Sequence, residues 1–409
     1  MRPLNILVDA RGTQEGFKQH KHRGIGHYAV QLIRQLQESR TAHRFTFLVD
    51  ATKPVDRLLA HSDLLRHYPW VRGSRISEFL ETQLTLPGTI RTRVFDVVHY
   101  LSQHDGARAT PFPFILNILD TVQQSAGRLY SFGQNFKHRV LQSIVQRTVD
   151  RASAIITISE YSKQDVLRHY RISSEKIHVT HLAADHRFFR ATPKKAKAVA
   201  LASMKLPKEF LFYVGGIDPR KNVRTLMRAL FLLYEEHPAS PPLVFAGRID
   251  NQTEYSALMQ DVERLRLTDR VRFLGFVSDD QLPALFACAK VFVFPSLLEG
   301  FGLPVVQAMA SGIPVVASAT SSIPEVAGDA VFYADVTSAD ALARAIHHVL
   351  THPREAARKK AAGKRRARLF SWKQTAESTI KVYEHVAMNG NRIRSRPFLS
   401  SRGEKGRSK

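Results

Sequence analysis

The sequence predicts an α/β protein with two domains, each built on a doubly wound parallel β-sheet. The chain has 409 residues, of which 44% are hydrophobic, and this length exceeds the usual size of a single core. Short apolar runs alternate with stretches of helical periodicity, which is typical of parallel sheets covered by helices on both faces. The alternation lapses at 187–207, where Ala, Lys and Pro are frequent, so we expect an interdomain linker there.

The first half contains runs of apolar and β-branched residues that predict buried strands. These strands are 5–8, 45–49, 94–100, 114–119 and 154–158. Helical periodicity is found at 28–38, 136–151 and 160–170. Because the first apolar run is short and ends at Asp9, it favours a strand over a signal peptide.

The second half repeats this pattern and predicts a complete doubly wound sheet. Its strands are expected at 210–214, 243–246, 271–274, 291–294 and 314–317, and its helices at 223–236, 254–265, 279–287 and 304–310. We therefore expect an N-terminal Rossmann-like domain at 1–190, a C-terminal one at 191–368, a helix at 369–388 that packs back on the first domain, and a basic disordered tail at 389–409. Open parallel sheets bind ligands beyond the carboxyl ends of their strands, and two such sheets facing each other leave a cleft.

The chain is strongly basic, with a formal net charge of +24. Such a charge attracts polyanions, although a basic solvated surface explains it equally well. Much of the excess lies at 351–368 and in the tail, where seven Lys or Arg stand against Glu404. These segments lack the interleaved aromatic residues that bind single-stranded nucleic acid, so we expect no nucleic-acid partner. Polybasic segments bind anionic lipid head groups, which favours an anionic membrane surface as a partner.

Few other features bear on location. The sequence has no uninterrupted run of 18 apolar residues, so no transmembrane helix is expected. The single cysteine, Cys288, excludes an internal disulfide and is interpreted as a small buried residue. We expect a cytoplasmic protein that attaches peripherally to the inner membrane face.

The strongest local signal is the loop at 294–304, between a predicted strand and a helix with proline in its first turn. Gly300 and Gly302 let the backbone approach a ligand closely. The unpaired amides at the start of the helix favour an anion. Glu299 lies in this loop as an acceptor for a hydroxyl group, and Gln307 lies one turn into the helix. The same loop is common in α/β domains, so a solvated Glu299 explains the local pattern about equally well.

A second signal lies at 213–222 and also joins a strand to a helix. Gly215 and Gly216 permit close backbone approach, while Arg220 and Lys221 supply two cations where a diphosphate would lie. A solvated basic turn is the alternative. Asn222 is a candidate N-cap of the next helix.

The third signal is weak: Gly24 and Gly26 follow Arg23 after the first strand. There is no third glycine in dinucleotide-binding spacing and no acidic partner in the right context. The pattern predicts a glycine turn before a helix.

Taken together, these residues resemble glycosyltransferase family 4, a retaining family with the GT-B fold. The resemblance covers nearly the whole chain and is strongest from Leu211 to Asp335. Glu299 and Gln307 correspond to the family's E-x7-E motif. Other typical segments are GFGLPVVQAMASGIPVVAS at 300–318, SSIPEVAGDA at 321–330, RISSEKIHVTHLAADHRFF at 171–189 and SEYSKQDV at 159–166.

The resemblance implies a site for a nucleotide-sugar donor. Glu299 would hold the hydroxyls of the donor sugar, and Arg220 and Lys221 would neutralise the departing diphosphate. Gln307 would reach the ribose, and the loop at 215–216 would approach the donor. The amides of four consecutive residues would hold the sugar and diphosphate: Gly300, Phe301, Gly302 and Leu303.

Other implications concern the acceptor and the cofactor. Gly24 and Gly26 would meet the donor phosphate or the acceptor across the cleft, and Asp120 belongs to the acceptor or phosphate side. Glu325 is expected to be structural. The expected acceptor is a glycan or a lipid-linked glycan, with mannose favoured as the transferred hexose because GGIDPRKN resembles mannosyltransferases. No cofactor and no metal are expected.

Two positions depart from the family pattern. Gln307 replaces the second glutamate, and Leu119 precedes Asp120 where the family often has histidine. An amide still bonds ribose hydroxyls, but both changes keep open the alternative of a catalytically inactive interaction protein. A polyanion-binding module is the other alternative, suggested by charge alone.

Overall fold

The computed structural model describes residues 2–17, 24–69, 75–121, 125, 143, 145–249 and 251–394. Its strands form two sheets, one of seven strands and one of six. The strands of the first sheet are β1 (Asn5–Asp9), β2 (Arg44–Asp50), β3 (Asp63–His67), β4 (Val97–Tyr100), β5 (Phe114–Asn117), β6 (Ala154–Thr157) and β7 (Ile177–Val179). Those of the second are β8 (Leu211–Val214), β9 (Leu243–Ala246), β10 (Val271–Gly275), β11 (Val291–Phe294), β12 (Val315–Ser318) and β13 (Phe332–Ala334).

Helices connect the strands along the chain. In the first half they are α1 (Gly24–Glu38), α2 (Arg75–Leu84), α3 (Leu86–Arg91) and α4 (Glu160–His169). The second half has α5 (Lys194–Ser203), α6 (Val223–Glu236), α7 (Gln252–Arg264), α8 (Leu282–Cys288), α9 (Leu303–Ser311), α10 (Ile323–Ala327), α11 (Ala339–Thr351), α12 (Pro353–Ala367) and α13 (Trp372–Arg394).

Both sheets have the strand order of doubly wound folds. The order is β3-β2-β1-β4-β5-β6-β7 in the first sheet and β10-β9-β8-β11-β12-β13 in the second. All five pairings of the second sheet are parallel. β8 and β11 are neighbours, with Leu211 opposite Val291, so the loops that follow these strands leave the same edge of the sheet. The predicted α/β class with two parallel-sheet domains is confirmed.

Central strands are apolar on both faces because helices cover both. Every residue of β9, β11 and β12 is buried. The helix α6 buries seven residues on the face that packs against this sheet, including Leu226 and Leu230. Strands that are buried on both faces leave no position for polar side chains, so their sequences are continuous runs of Val, Phe and Leu.

Contacts divide the chain into two compact units. One comprises Met1–Asn117, Arg151–Ile155 and Glu377–Lys409, and the other comprises Ile118–Asp150 and Ile156–Ala376. These units follow contact density and not the sheets, so the domain boundaries at 190, 368 and 388 remain predictions.

The C-terminal helix contacts the first sheet within its own unit. The Tyr383 hydroxyl on α13 lies 2.8 Å from Nδ1 of His99 on β4, and the other nitrogen of this imidazole lies 2.8 Å from Asn117 Oδ1. Burial lowers the pKa of His99 to about 4, so the ring stays neutral and links the helix to two strands.

Several predicted elements need correction. The strand predicted at 94–100 begins only at Val97, because Val94 is exposed and Asp96 accepts a bond from the amide of Asn5. The segment predicted as a linker contains α5, since its Ala and Lys residues favour helix. The tail predicted as disordered from residue 389 begins as the last turns of α13, which ends at Arg394.

Other parts of the prediction lie outside the described residues. Of the helix predicted at 136–151, residues 145–149 are helical and most of the remainder is not described. Arg23 and 395–409 are likewise not described. The short strands β3, β7 and β13 were not predicted, because they are polar or only three residues long.

Candidate functional site

The two predicted loops of the second sheet come together at its carboxyl edge. The chain leaves β8 and forms a short 3₁₀ helix at Pro219–Lys221. The carbonyl oxygen of Arg220 accepts a hydrogen bond of 2.8 Å from the Leu297 amide in the loop after β11. The Arg220 guanidinium in turn donates to the Leu298 carbonyl at 3.3 Å. The two loops are therefore one structural element, although 78 residues separate Arg220 from Leu298.

Glu299 and Lys221 form an ion pair in the centre of this element. The Lys221 ammonium lies 2.5 Å from Glu299 Oε1, and the Ser296 hydroxyl donates to the same oxygen at 2.5 Å. Arg220 lies 3.6 Å from the other carboxylate oxygen. The side chains of Lys221 and Glu299 are only 13% and 10% exposed, so water screens the pair weakly.

Burial and charge act in opposite directions on Glu299. Burial raises the pKa of its carboxyl group, but the charges of Lys221 and Arg220 outweigh it and hold the pKa below its ordinary value. For Lys221 burial is the largest effect and lowers the pKa of the ammonium, against the opposing charge of Glu299. At neutral pH the carboxylate is ionised and available as a hydrogen-bond acceptor.

The charges in this cluster balance. Arg220 also lies 3.5 Å from Asp218, so two cations face two carboxylates. A diphosphate therefore gains attraction from these side chains only if the cations approach it more closely than the carboxylates do.

The loop from Glu299 to α9 presents backbone amides. Gly302 has φ +85° and precedes a helix with proline in its first turn, and a side chain there would meet Ile323 at 2.4 Å. Within the described residues, the amides of Gly300, Phe301, Gly302 and Leu303 donate no hydrogen bond. Unpaired amides at a helix start can bind an anion.

Phe301 contributes only its backbone to this loop. Its side chain is 2% exposed and packs on the rings of Phe370 and His181, whose centroids lie 5.6 and 6.1 Å away.

Gly300 is required by the protein itself. A β-carbon at this position would lie 2.6 Å from Cβ of Asp120, which follows β5. The carbonyl oxygen of Gly300 accepts hydrogen bonds from Ser159 and Ser162 at the start of α4, at 2.6 and 2.9 Å. Sequence reasoning attributed this glycine to ligand approach, whereas the structure adds a packing reason.

The glycines after β8 have different environments. The Gly215 amide donates to the Ala246 carbonyl at 2.9 Å, and a β-carbon on Gly215 would lie 2.6 Å from the Tyr213 hydroxyl. This amide already donates to a carbonyl of the sheet, so it is not available to a ligand. A β-carbon on Gly216 would have no atom within 4 Å, so a ligand can approach Gly216 but not the Gly215 amide.

Asn222 corrects another prediction. It lies at the N-cap position of α6, but it is left-handed, with φ +57°, and its side chain makes no cap bond. Its side-chain amide instead donates to the backbone carbonyls of Pro295 and Val336, at 3.2 and 2.7 Å. Asn222 thus holds the β11 loop in place.

Gln307 lies on α9 and is 8% exposed. Its side-chain amide hydrogen-bonds to none of the described residues. Gln307 can therefore satisfy its amide with a ligand, as glutamine offers both donors and an acceptor.

Gly24 and Gly26 belong to the other compact unit. They lie in the first turn of α1, so the predicted glycine turn is helical from Gly24 onward. Within the described part of the chain, no group of three His, Cys, Asp or Glu is arranged to hold a metal ion. In the same part, no helix is long and apolar enough to cross a bilayer.

Sequence reasoning missed the serines of this site. Ser296 contacts Glu299, the Ser321 hydroxyl accepts from the Glu299 amide at 3.0 Å, and the Ser322 hydroxyl donates to the Glu299 carbonyl at 3.0 Å. Serine is frequent in loops, and only its spacing of three from Glu299 is a signal for Ser296.

Glu325 has the structural role predicted for it. Its carboxylate accepts from the amides of Glu160 and Tyr161, the first two of α4, at 2.9 and 3.0 Å. His181 lies 3.0 Å from the same carboxylate.

Two parallel α/β sheets with this strand order define a two-domain protein of the GT-B class. Comparison with known proteins agrees. Residues 22–188 match the family model described as Glycosyltransferase Family 4, and residues 201–366 match that of Glycosyl transferases group 1. Together the two matches cover both halves of the chain, which thus carries a Glycosyltransferase Family 4 domain followed by a Glycosyl transferases group 1 domain.

Similar proteins include the O-antigen chain mannosyltransferase B of Escherichia coli, which is 34% identical over 246 residues, 60% of this chain and 64% of the relative. The serotype-specific mannosyltransferase WbdA of Escherichia coli is 27% identical over 413 residues, 94% of this chain and 48% of the relative. The chain thus spans about half to under two thirds of the length of these relatives.

A solved structure shares the fold. Anabaena HepE in complex with UDP and glucose has a TM-score of 0.73 and 19% identity, covering 93% of this chain and all of that one.

Proposed function

We propose that the protein is a retaining glycosyltransferase that moves a hexose, with mannose favoured, from a nucleoside-diphosphate sugar to a glycan or lipid-linked acceptor in the synthesis of cell-surface polysaccharide or glycolipid. The observation that carries the proposal is the cluster of Lys221, Glu299 and Arg220 beside the unpaired amides of α9. The names of the similar mannosyltransferases support the choice of sugar.

The ion pair suggests how the donor binds. The carboxylate of Glu299 is ionised and accepts a hydrogen bond from Lys221. Sugar hydroxyls are donors, so a bound hexose replaces Lys221 as a partner of Glu299. The released ammonium then turns to the diphosphate, together with Arg220. Because the cluster is electrically balanced beforehand, this exchange of partners creates the cationic site only when sugar and diphosphate arrive together.

We propose the remaining donor contacts for the loop that leads into α9 and for its neighbours. The amides of Gly300–Leu303 point from the start of α9 and would hold sugar or phosphate oxygens. Gln307, whose amide has no partner in the described residues, would bind the ribose. The ring of Phe301 packs on Phe370, and the amide of Gly215 donates within the sheet. These two residues would therefore shape the donor loops without their ring or amide binding the donor.

In the reaction we propose, the acceptor hydroxyl attacks the anomeric carbon from the face that the diphosphate leaves. The bond between that carbon and the phosphate oxygen breaks, and the leaving phosphate takes the proton of the hydroxyl. Charge develops on the diphosphate, where Arg220, Lys221 and the helix amides would stabilise it. These cations make a resident divalent metal unnecessary in this proposal, and no protein nucleophile is assigned.

The acceptor side and location remain proposals as well. Gly24 and Gly26 at the start of α1, and Asp120 beside Gly300, are the residues we propose for the acceptor or phosphate side. We also propose a cytoplasmic protein that attaches to an anionic membrane surface through its basic C-terminal segments.

The experiment that tests the function is a donor screen with the purified protein. UDP-, GDP- and ADP-sugars are each incubated with wild type and with Glu299→Gln, and transfer or hydrolysis is measured. We expect turnover with one donor in wild type, loss of turnover in Glu299→Gln and no loss of that variant's affinity for the free nucleotide, since the substitution leaves Lys221 available to the diphosphate. The anomeric configuration of the product, read by proton NMR, tests retention, and unchanged turnover after chelation tests the metal-free reaction. Absence of turnover with every donor, or equal loss of nucleotide affinity, would contradict the proposal.

A further inference from the structure

A cavity lies at the edge of the six-stranded sheet that is opposite to the candidate donor site. It has a volume of about 550 Å³ and is bordered by Val291 and Pro314, at the amino-terminal starts of β11 and β12. The donor loops leave the carboxyl ends of the same strands. The cavity is therefore separate from the site described above, and its volume suits a small organic ligand.

The residues around this cavity include five cations and no acid. The cations are Arg190, Lys197, Lys290, Lys360 and Lys364. Two of them have partners in the protein: Lys197 donates to the Ala287 carbonyl at 2.9 Å, and Lys290 pairs with Glu209 at 2.5 Å. An anion at the cavity would therefore meet an uncompensated positive field from the others.

Lys360 and Lys364 are the two central cations. They are four residues apart on α12 and so extend from the same side of the helix. Within the described residues neither forms a hydrogen bond or an ion pair. A like-charged pair at this spacing destabilises a helix slightly, and an anion bound between the two ammonium groups would reverse that cost.

The side chain of Lys364 packs against the wall of the cavity at Gly312. A β-carbon on Gly312 would lie 2.0 Å from Cε of Lys364 and 2.8 Å from its nitrogen, so the lysine stem lies directly on the turn that ends α9. The neighbouring Ser311 lines the same cavity, and its buried hydroxyl has no hydrogen-bond partner within the described part of the chain. A buried hydroxyl without a partner costs free energy that a ligand oxygen would recover.

The floor of the cavity is apolar. Phe188, Ile313 and Val349 line it, and all three are buried. A ligand at this site would thus place an anionic group at the rim and a carbon skeleton on the floor.

We propose that this cavity binds a phosphate-bearing ligand, with Lys360 and Lys364 pairing with the phosphate and Ser311 donating a hydrogen bond to it. The phosphate belongs either to a soluble phosphorylated metabolite or to the head group of an anionic lipid. None of these residues belongs to the donor loops, so the proposal does not rest on the proposed transfer reaction.

A pair of matched double variants tests the site. Lys360→Gln/Lys364→Gln removes the two central cations, and Arg354→Gln/Arg365→Gln removes the same charge from exposed positions of the same helix that do not line the cavity. Both keep good helix formers. Thermal unfolding is measured with inorganic phosphate and with chloride at equal ionic strength. The donor site is untouched in both variants, so any phosphate bound there contributes equally.

A second arm identifies the source of the phosphate. Wild type and both variants are sedimented with vesicles of phosphatidylglycerol or of phosphatidylcholine. We expect the cavity variant to bind its phosphate ligand at least about tenfold more weakly, the loss expected for even one charge-assisted bond, while the control keeps wild-type affinity for inorganic phosphate. Loss of phosphate stabilisation alone supports a soluble metabolite, and a loss of phosphatidylglycerol binding that exceeds the loss in the control supports a lipid head group. If the two variants behave alike in both arms, the cations act only through overall charge and the site is rejected.

Discussion

The ammonium of Lys221 lies 2.5 Å from the carboxylate of Glu299, and both side chains are nearly buried. The sequence assigns these residues to different tasks, one to a diphosphate and the other to a sugar. In the structure each is the other's partner. The pair therefore contributes to stability as well as to the proposed function, and its substitution has two consequences that need to be separated.

The first prediction concerns this pair. Lys221→Met and Glu299→Gln should each lower the free energy of unfolding by about 3 kcal/mol, because removal of one partner leaves the other charge buried without its nearest counter-charge. The double variant should lose clearly less than the sum of the two single losses. Denaturant unfolding of the four proteins measures this coupling. Additive losses would mean that the two side chains are not coupled and that Arg220 and Ser296 suffice to stabilise the carboxylate of Glu299.

The sequence predicts where the loops after β8 and β11 meet, but not the contacts between them. β8 and β11 are continuous apolar runs followed by glycine loops, so their position and the edge where the loops meet follow from pattern alone. The bond between Lys221 and Glu299 joins residues 78 positions apart. Such a contact depends on strand order and loop conformation, which periodicity does not contain.

The glycines illustrate the same limit. A strand followed by Gly-Gly predicts close approach of something to the backbone, but not whether that is a ligand or the protein itself. At Gly215 the neighbour is Tyr213, and at Gly300 it is Asp120, whereas Gly216 faces open space. The helix α5 was missed for a different reason. Its Ala- and Lys-rich segment at 194–203 has helical propensity, but little apolar periodicity to indicate a helix.

The second prediction separates these glycines. Gly300→Ala should destabilise the protein by roughly 1–3 kcal/mol, the usual cost of overpacking, because its β-carbon would collide with Asp120. Gly216→Ala should unfold like wild type, since a β-carbon there has no neighbour within 4 Å. Thermal unfolding compares the two. Adding Asp120→Gly to Gly300→Ala should restore part of the loss. A Gly300→Ala protein as stable as wild type would show that Asp120 moves aside at no cost.

A third prediction uses the carboxylate of Glu325, which caps α4. Burial raises the pKa of this group, but hydrogen bonds from His181 and from the amides of Glu160 and Tyr161 outweigh it and lower the pKa below its ordinary value. A lowered pKa in the folded state means that the stabilisation is complete above the pKa of the unfolded chain and is lost as pH falls through the folded value.

Glu325→Gln should therefore be less stable than wild type at neutral pH by about 0.5–2 kcal/mol, the range for a helix cap. The difference should shrink as the pH falls below the ordinary glutamate range. Denaturant unfolding across that range measures it, with the exposed Glu175→Gln as a control. A difference that stays constant with pH would mean that the variant acts through packing and not through charge.

The last prediction concerns two adjacent arginines of α12, a helix that the sequence treats as uniformly basic. The guanidinium of Arg366 donates to the carbonyls of Glu325 and Val326, at 2.5 and 3.0 Å, and lies 5.6 Å from the ring centre of Phe370. Carbonyls near the end of the short helix α10 are thereby satisfied. Arg365 is exposed and forms no such contact among the described residues.

Arg366→Ala should lower the free energy of unfolding by about 1.5–3 kcal/mol, the range for hydrogen bonds to a charged group. Arg365→Ala, which removes the same charge one residue earlier, should change it by less than about 0.5 kcal/mol. Binding to anionic vesicles should have the opposite order of sensitivity, because an arginine that is bound to protein carbonyls has less of its charge available to a lipid surface than an exposed one. Denaturant unfolding measures the contribution of each arginine to stability, and vesicle sedimentation measures its contribution to lipid binding. Equal stability of the two variants would mean that the contacts of Arg366 contribute nothing to the stability of the fold. Arg366 would then be a surface cation like Arg365.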